Sequence, residues 1–591
     1  MQSFTCKTCE CYRLHNNIST FDEEEAQLTG SEELCILHCE KSDYSKDWNK
    51  VGFLNAFYDK LILFLYNQNE ELKRTVSLED FTSYFDYTNS LEATQKEFIS
   101  KQLTANITFS QIFFPQFKGQ DTFDYSKIIR KLRNIWFNYC KFTTSYLPLQ
   151  QKNLFFKDCI FHQGFSLSGG GFNVLGNEDN VVFQMCIFKK DVSIEYTADE
   201  EENENQTLEI EPNLFLDCQF NEGFRALNVI FKGMIFKNTI YNEHKAIKKL
   251  RLENCTIRDR FLLDGIEIES LDFKNSIFEK KVELTHCNVK NNISFHNTRF
   301  QATADFFNST FQILKDEEGE ASFHRTFFED AALFKDVIFK EKVNFKFTTF
   351  SKTTSFKNAK FACLDLEDTV FLGSTNFSNI KNLQDKSIGT QEIANRETAR
   401  FIKHELDKIS NIIDSNKFYA IEMQKQEKEL SWKNNFIDKL VFSLHRLTSN
   451  NSQDWFLTFF WIMAISCGYA YFANSKVVIN DYECVAFAKV FSFSVYLGLL
   501  VFGIYIAKKY EKFCTLFTSN IFRSIVLIFI ISLYMCLTND YNLAELAHSM
   551  NPFSTMLGQD KITIGGLIYK ASLAYLIYQF IISIRQNTRR K

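Results

Sequence analysis

The chain has little excess charge of either sign, few prolines and none of the common catalytic or nucleotide-binding motifs. Its 591 residues carry a formal net charge of −5, so a nucleic acid is not expected as a partner. The ten histidines are scattered, and no Gly-x-Ser-x-Gly elbow or Walker loop occurs, so we do not expect an enzyme. Residues 1–10 are polar and no apolar stretch follows them, so no secretory signal peptide is predicted. The length predicts more than one domain.

Phenylalanine, in contrast, is abundant, and its spacing in the middle of the chain is the most informative pattern. The chain contains 65 phenylalanines and only four prolines. Large apolar residues recur alternately after five and six residues, with one insertion, at Phe273, Phe278, Leu284, Val289, Phe295, Phe300, Phe306, Phe311, Phe323, Phe328, Phe334, Phe339, Phe345, Phe350, Phe356 and Phe361. Neither an α-helix nor a β-strand repeats at these intervals. This phenylalanine ladder predicts a solenoid in which each short segment turns a corner and buries one large side chain.

A second position lies two residues before the ladder residues and is small or β-branched. It is occupied by Ala304, Ser309, Ala321, Thr326, Ala332, Val343, Thr348 and Ala359. Repeats of the form A-x-F-x-x-A-x-F resemble the pentapeptide-repeat family, in particular its Phe-rich variant, over residues 137–377. The resemblance implies a right-handed quadrilateral β-helix, a four-sided solenoid with two units of about eleven residues per coil. About ten coils spaced by ~4.8 Å would form a rod roughly 50 Å long.

The sixteen cysteines raise the question of metal or disulfide chemistry. Six of them occupy the small position of the repeats: Cys140, Cys159, Cys186, Cys218, Cys255 and Cys287. We interpret these six as small buried hydrophobic residues, because thiols spaced by coil geometry would not converge tetrahedrally on one ion. Free buried thiols also favour a reducing compartment.

The N-terminus carries a different cysteine pattern. Cys6 and Cys9 form a C-x-x-C pair, and Cys35, His38 and Cys39 follow later in the chain. Two cysteines separated by two residues can present both thiolates to one ion, and a second pair completes a four-ligand shell. The pattern predicts a structural zinc site built from Cys6, Cys9, Cys35 and either His38 or Cys39. Cys11 is a competing ligand in the first half of the motif.

The domain boundaries follow from changes in composition and period. Residues 1–45 are predicted as the zinc knuckle, 46–130 as a helical cap, 131–385 as the solenoid, 386–453 as a helical linker and 454–591 as a membrane domain. In the cap, an apolar helix over residues 51–67 would cover the open end of the solenoid. Its apolar residues recur at i, i+4 spacing: Phe53, Phe57, Leu61 and Leu65. The linker around Asn395 and Asn416 resembles that of membrane-attached bacterial pentapeptide-repeat proteins. His404 and Glu405 there are interpreted as a solvated helix face.

Four long apolar runs predict an all-α transmembrane domain. They cover residues 455–473, 485–507, 521–537 and 567–584. Lysine and arginine cluster before the first run, between the second and third, and after the fourth, which places both termini in the cytoplasm. The protein would then be a multi-pass protein of the bacterial inner membrane, with the solenoid and the knuckle in the cytoplasm.

Two features of the membrane domain bear on its function. About thirty residues join the third and fourth runs, and they contain Asn551-Pro552-Phe553-Ser554 and Thr563-Ile564-Gly565-Gly566. The second motif resembles a potassium-channel filter only in its first three residues, and a filter of that kind is not predicted. The last helix, around Ile577 to Arg585, resembles that of pentapeptide-repeat proteins with an ion-channel-like module.

Two functional hypotheses follow, from different classes. In the first, the solenoid is a cytoplasmic receptor or interaction rod for a protein partner, and the membrane helices assemble as a homo-oligomeric, ion-channel-like module in the lipid bilayer. In the second, the helices only anchor an interaction scaffold. A gyrase-binding DNA mimic is disfavoured by the membrane helices and by the mixed charge of the rod.

Overall fold

The structure is a computed structural model that describes residues 3–11, 19–41, 51–85, 91–116, 125–145, 147–149, 152–168, 173–174, 181–195, 208–237, 246–313, 320–474, 520–554 and 563–588. The chain divides into two compact units, Met1–Ala394 and Asn395–Lys591. The first unit contains the repeats, and the second contains the helices of the predicted linker and membrane domain.

The helices of the first unit precede the main run of repeats. Its described residues contain α1 (Lys7–Cys11), α2 (Glu23–Thr29), α3 (Val51–Gln68), α4 (Glu70–Thr75), α5 (Leu78–Ser83), α6 (Ala93–Gln102) and α7 (Ser126–Lys131). The four apolar residues predicted at i, i+4 spacing all lie in α3 and are buried. Phe57 packs edge-on against Phe114 and Tyr125, and Phe64 stacks on Phe109. Helix α3 therefore packs against the first strands of the solenoid.

The strands stack in parallel, as a solenoid requires. Among the described residues, one pair of strands is antiparallel, Phe4–Thr5 with Thr20–Phe21. The other paired strands are parallel. One parallel sheet contains Asn106–Ser110, Asn134–Asn138, Asn153–Lys157, Asn173–Val174, Val181–Gln184 and Asn213–Leu216. A second contains Phe113–Phe114, Lys141–Phe142, Ile160–Phe161, Ile187–Phe188 and Gln219–Phe220.

Three further parallel sheets extend through the later coils. The largest contains Phe165–Ser168, Val192–Glu195, Gly223–Leu227, Ala246–Glu253, Glu267–Asp272, Asn288–Lys290, Ile293–Ser294, Thr310–Gln312, Glu320–Ser322, Ile338–Asn344, Lys360–Asp365 and Lys381–Asn382. Another contains Leu208–Ile210, Val229–Phe231, Thr256–Ile257, Ile277–Phe278, Arg299–Phe300, Phe327–Phe328, Thr349–Phe350 and Val370–Phe371. The last contains Phe261–Asp264, Val282–Thr285, Ala304–Asp305, Ala332–Leu333, Thr354–Ser355 and Thr375–Asn376.

The phenylalanine ladder forms the core of these coils. All sixteen predicted ladder residues are at most 1% exposed. Equivalent residues pair from coil to coil, so that Phe300 pairs with Phe328 and Phe328 with Phe350. Their rings stack nearly parallel, with centroids 5.0 and 4.9 Å apart. The prediction of a parallel β-solenoid with inward phenylalanines is confirmed.

The five-residue step of the ladder is made by a tight turn that the periodicity alone did not reveal. The residue two positions after every second ladder residue adopts a left-handed conformation, with φ between 53° and 60°, at Asn275, His286, Asn297, Asn308, Arg325, Asp336, Phe347 and Asn358. The same turn recurs beyond the ladder at Asp368 and Asn379, which follow the buried Leu366 and Phe377 by two residues. Most of these are Asn or Asp, whose short polar side chains tolerate this conformation best after glycine. This recurring Asn/Asp was the available sequence signal for the turn.

In every second segment, the small position directly follows the left-handed residue, and its side chain is buried. Thr326 donates its hydroxyl to the carbonyl of Phe295 in the preceding coil over 2.7 Å, and Thr348 donates to Phe323 over 2.6 Å. Cysteine uses the same slot, because the thiol of Cys159 donates to the carbonyl of Phe137 over 3.2 Å. The six repeat cysteines are all buried and free, as predicted.

The solenoid begins earlier than the predicted boundary at residue 131. Strand Asn106–Ser110, inside the segment predicted as a helical cap, pairs in parallel with Asn134–Asn138. Phe109 stacks on Phe137 with ring centroids 5.3 Å apart, as in the later coils. Helix α7 lies between these two strands in the sequence, so the spacing of the ladder is interrupted and its first member was not recognised.

The secondary-structure elements described in the second unit are all helices. It contains α8 (Arg396–Lys408), α9 (Ile412–Glu429), α10 (Phe436–Ser449), α11 (Trp455–Asn474), α12 (Asn520–Thr538), α13 (Ala544–Ser549) and α14 (Ile564–Thr588). Within the predicted linker, α8 and α9 form a packed helix pair, because Glu422 of α9 accepts from both Arg400 and Lys403 of α8. Glu405 is buried and pairs with Lys408, so it does not lie on a solvated face as predicted; its ion pair compensates the burial of the carboxylate.

Three described helices are long and apolar enough to cross a membrane: Trp455–Ala473, Asn520–Thr538 and Ile564–Thr588. They coincide with the first, third and fourth predicted spans, whereas the second, residues 485–507, lies outside the described residues. Trp461 of α11 packs in one apolar cluster with Leu527 of α12 and Leu573 of α14. These three helices therefore share a core.

Candidate metal centre

Short elements at the N-terminus bring the predicted ligands together. Cys6 directly follows the strand Phe4–Thr5, and its backbone N–H donates to the carbonyl of Ser19; Cys9 lies within α1. Cys35 opens a turn in which the N–H groups of His38 and Cys39 both donate to the Cys35 carbonyl. The turn brings both candidates for the fourth ligand, His38 and Cys39, back near Cys35.

The fourth member of the cluster is His38. One donor atom from each of Cys6, Cys9, Cys35 and His38 lies within 4.8 Å of all the others. The Nδ1 atom of His38 is 3.6 Å from the Sγ atoms of Cys6 and Cys9, and 3.1 Å from that of Cys35. A tetrahedral ion with metal–sulfur bonds of ~2.3 Å and a metal–nitrogen bond of ~2.0 Å would give S···N separations of roughly 3.6 Å. The arrangement can hold a metal ion.

Burial supports the same conclusion. The three cysteines are at most 4% exposed, and the half-buried His38 has an Nε2 atom without a hydrogen-bond partner among the described residues. Buried polar atoms are usually paired. A metal on Nδ1 would place the ring proton on Nε2, so that nitrogen would still need a partner, and the burial of the three thiols is the observation that favours a closed structural site.

The three thiols also have divergent proton affinities. Hydrogen bonds with Cys35 and Cys9 lower the pKa of the Cys6 thiol far below its ordinary value. The hydrogen bond with Cys6 raises the pKa of Cys35 to about 12, and hydrogen bonds with Cys35 and Cys6 raise that of Cys9. One thiolate is therefore favoured, stabilised by two neighbouring thiols. A cation that replaces their protons would bind with proton release.

Cys39, the alternative fourth ligand, lies outside the cluster. Its Sγ atom is 3.6 Å from the carbonyl oxygen of Ile36, and its side chain is buried. Burial raises the pKa of this thiol, so it is held in the neutral form. The competing Cys11 belongs to α1, but its side chain lies outside the described residues.

The loop that carries Cys35 and His38 is joined to the solenoid. Leu37 accepts a backbone hydrogen bond from Phe113, in the first coil, over 2.8 Å. The buried Lys41 donates to the carbonyls of Leu37 and Cys39, and its Nζ atom lies 5.3–5.8 Å from the ring centroids of Phe53, Phe57 and Phe113. Cation–π contacts of this kind compensate in part for the burial of an ammonium. No sequence pattern singled out Lys41.

Comparison with known proteins bears on the solenoid. Residues 334–381 match the family model described as pentapeptide repeats (9 copies). These coils are pentapeptide repeats. The match lies within the region where the resemblance was seen in the sequence, so residues 334–381 carry pentapeptide repeats. The same chain contains three candidate membrane helices among its described residues. Neither a search of curated proteins nor a search of solved structures gives a match.

A second polar cluster lies among the candidate membrane helices. Lys570 of α14 is buried, and its Nζ atom donates to the carbonyls of Ser549 and Asn551 over 2.8 and 2.6 Å and to the hydroxyl of Ser554 over 2.8 Å. The segment that follows α13 therefore surrounds an ammonium with oxygen atoms. This segment contains the predicted Asn551-Pro552-Phe553-Ser554 motif.

The motif Thr563-Ile564-Gly565-Gly566 lies at the beginning of helix α14. Thr563 precedes the first residue of α14, and its Oγ1 atom accepts from the backbone N–H of Gly566 over 3.1 Å. This is the geometry of a helix N-cap. Gly565 and Gly566 belong to the first turn of α14.

Proposed function

We propose that this pentapeptide-repeat protein is a membrane-embedded, non-enzymatic receptor, in which a cytoplasmic solenoid binds a protein partner and controls an ion-channel-like module. The solenoid would be the right-handed, four-sided type of the family. Both termini would be cytoplasmic, in a bacterial inner membrane, and several copies would assemble through the membrane helices. A reducing compartment suits the free buried thiols of the repeats.

The N-terminal centre would hold a structural zinc ion. Three thiolates and one imidazole are a donor set that Zn²⁺ prefers, and four protein ligands leave no open position for catalysis. Cys6, Cys9, Cys35 and His38 would bind the ion and thereby fix the loop that contacts Phe113.

The environment of Lys570 carries the channel proposal. A single apolar helix suffices as an anchor, and a buried charge within a membrane helix is costly unless it has a function. Carbonyl and hydroxyl oxygens are the groups with which cation channels replace the hydration shell of an ion. We infer that residues 549–554 form a cation-binding constriction whose site the ammonium of Lys570 occupies in the closed state.

An anchored scaffold without transport is the alternative. It is favoured by the pairing of a second buried cation in the described candidate spans: Arg523 forms an ion pair with Asp454, so both groups serve as a structural link between helices. On this alternative, the contacts of Lys570 would likewise only hold the segment after α13 in place.

Ion flux from liposomes separates the two functions. Full-length protein is reconstituted, and potassium and sodium efflux is measured for the wild type, for Lys570→Met and for a version that begins at Asn395. Lys570→Met should raise efflux several-fold because it frees the oxygen site, whereas Lys433→Met, which alters an exposed lysine before α10, should not. Efflux only without the solenoid would mean that the rod keeps the path closed. If no version of the protein releases potassium or sodium, the anchored scaffold is favoured.

A further inference from the structure

Helix α10 exposes one apolar face. Its large side chains at i, i+1, i+4, i+5 and i+8 form a continuous stripe and are 40–74% exposed: Phe436, Ile437, Leu440, Val441 and Leu444. Trp432, just before the helix, is 53% exposed, and its ring lies 5.8 Å from that of Phe436. A contiguous apolar stripe of this size marks a binding surface. We call these six residues the α10 stripe.

The orientation of α10 is fixed by contacts on its other side. Glu427, a buried residue of α9, accepts from Ser443 over 3.0 Å and pairs with Arg446 over 3.2 Å. Its backbone carbonyl accepts from Lys439. Because three polar residues of α10 point toward one partner on α9, the helix cannot rotate to bury the stripe without losing them.

The end of α10 is locked to the beginning of a candidate membrane span. The hydroxyl of Thr458 in α11 donates to the carbonyl of Thr448 over 3.1 Å, and the indole of Trp461 donates to the carbonyl of Leu447 over 3.2 Å. Asp454, at the N-terminus of α11, pairs with Arg523 near the start of α12. Charged pairs and an exposed Trp455 at this level are typical of a membrane boundary.

We propose that α10 lies in the plane of the membrane interface, with the α10 stripe inserted among lipid acyl chains near the headgroups. An amphipathic helix with Trp and Phe on one side and basic residues on the other has the composition of an interfacial helix. The lipid surface is the occupant because α11, to which α10 is locked, enters the bilayer directly after it. Lys433, exposed just before α10, suits anionic headgroups. This inference rests on the membrane embedding proposed above, but it requires no conduction.

Photocrosslinking to lipid tests the proposal on the full-length protein. A benzoylphenylalanine is placed at Ile437 or Val441 in the stripe, or at Asp438, which is exposed on a different side of the helix. The protein is reconstituted in vesicles of phosphatidylcholine and phosphatidylglycerol, irradiated and analysed by mass spectrometry. We expect lipid adducts from positions 437 and 441 at least fivefold above those from position 438.

Position 528 of α12 is the internal standard, because Ile528 is 64% exposed on a candidate membrane span. Adducts at 528 without adducts at 437 and 441 would overturn the interfacial helix and leave the membrane embedding intact. Adducts at none of these positions would overturn both. Crosslinks from 437 to a second copy of the chain, or equal lipid adducts from 438, would also overturn the proposal. Ion efflux is measured separately, so a silent channel does not affect this result.

Discussion

The backbone N–H of Phe113 donates to the carbonyl of Leu37 over 2.8 Å. Leu37 lies between two members of the metal cluster, Cys35 and His38, and Phe113 begins a strand of the first coil. The end of a parallel stack leaves backbone groups unpaired, and such an edge invites association with other strands. The loop that carries Cys35 and His38 pairs one of these groups, the N–H of Phe113. We therefore expect that loss of the metal also destabilises the end of the solenoid.

The metal content can be counted directly. We expect one zinc ion per chain, measured by inductively coupled plasma mass spectrometry on purified full-length protein. Combining Cys9→Ser with Cys35→Ser should abolish binding, because two remaining ligands cannot complete a tetrahedral shell. The amide of Phe113 should then exchange with solvent at least tenfold faster, since the loop that accepts its hydrogen bond is no longer fixed.

Cys39→Ser is the matched control for the metal experiment. The Cys39 thiol is buried like the ligands but contacts the Ile36 carbonyl instead of the cluster, so this variant should keep its zinc. Loss of the metal in Cys39→Ser, or a metal-free wild type with a protected Phe113 amide, would contradict the assignment of His38 as the fourth ligand.

The phenylalanine core can be tested by cavity formation. Phe345 is fully buried and stacks on Phe323 with ring centroids 4.8 Å apart. Phe345→Ala should lower the free energy of unfolding by ~3–5 kcal/mol, because the coil above cannot collapse into the space. Urea unfolding of the unit Met1–Ala394, followed by circular dichroism, measures this change.

Phe347 provides the comparison two residues away. Its side chain is 49% exposed, so Phe347→Ala should change the free energy of unfolding by less than ~1 kcal/mol. Equal effects of the two substitutions would show that the ring at position 345 does not carry the packing.

The turn predicts a preference for residues that tolerate positive φ. Asn297 has φ 53° and donates to Asn275 in the preceding coil over 3.0 Å. Asn297→Val should destabilise the solenoid by ~1–2 kcal/mol more than Asn297→Gly, because a β-branched side chain clashes in the left-handed region. Both variants lose the side-chain hydrogen bond, so the difference between their unfolding free energies reports the backbone alone. Identical values would contradict the role of the turn.

The membrane topology predicts opposite accessibility at two exposed positions. A cysteine that replaces Lys433 should be protected from a membrane-impermeant maleimide in spheroplasts, and one at position 548 should react, since His548 follows the third predicted span. Cysteines outside the solenoid and the metal cluster are first replaced by serine. Labelling at position 433 from outside would reverse the predicted orientation.

The sequence by itself determined the solenoid core. In a repeat, each residue meets its own equivalent in the next coil, so the alternation at Phe323, Phe328, Phe334 and Phe339 already specified both the inward positions and their neighbours. The same spacing predicted from the sequence that Cys159 and Cys186 occupy the small, buried position of their repeats. The candidate spans at α11, α12 and α14 could also be predicted from the sequence, because length and hydropathy are local properties.

Only the tertiary structure decided between His38 and Cys39, because both lie in one turn and the choice depends on where Cys6 and Cys9 arrive from elsewhere in the chain. It also brought Lys41 against Phe113 and Lys570 against Ser549. A buried lysine has no periodic signal, since its cost is offset by partners distant in sequence. The early start of the solenoid at Asn106 was hidden for a related reason: an inserted helix breaks the spacing along the chain while parallel pairing across the coils continues.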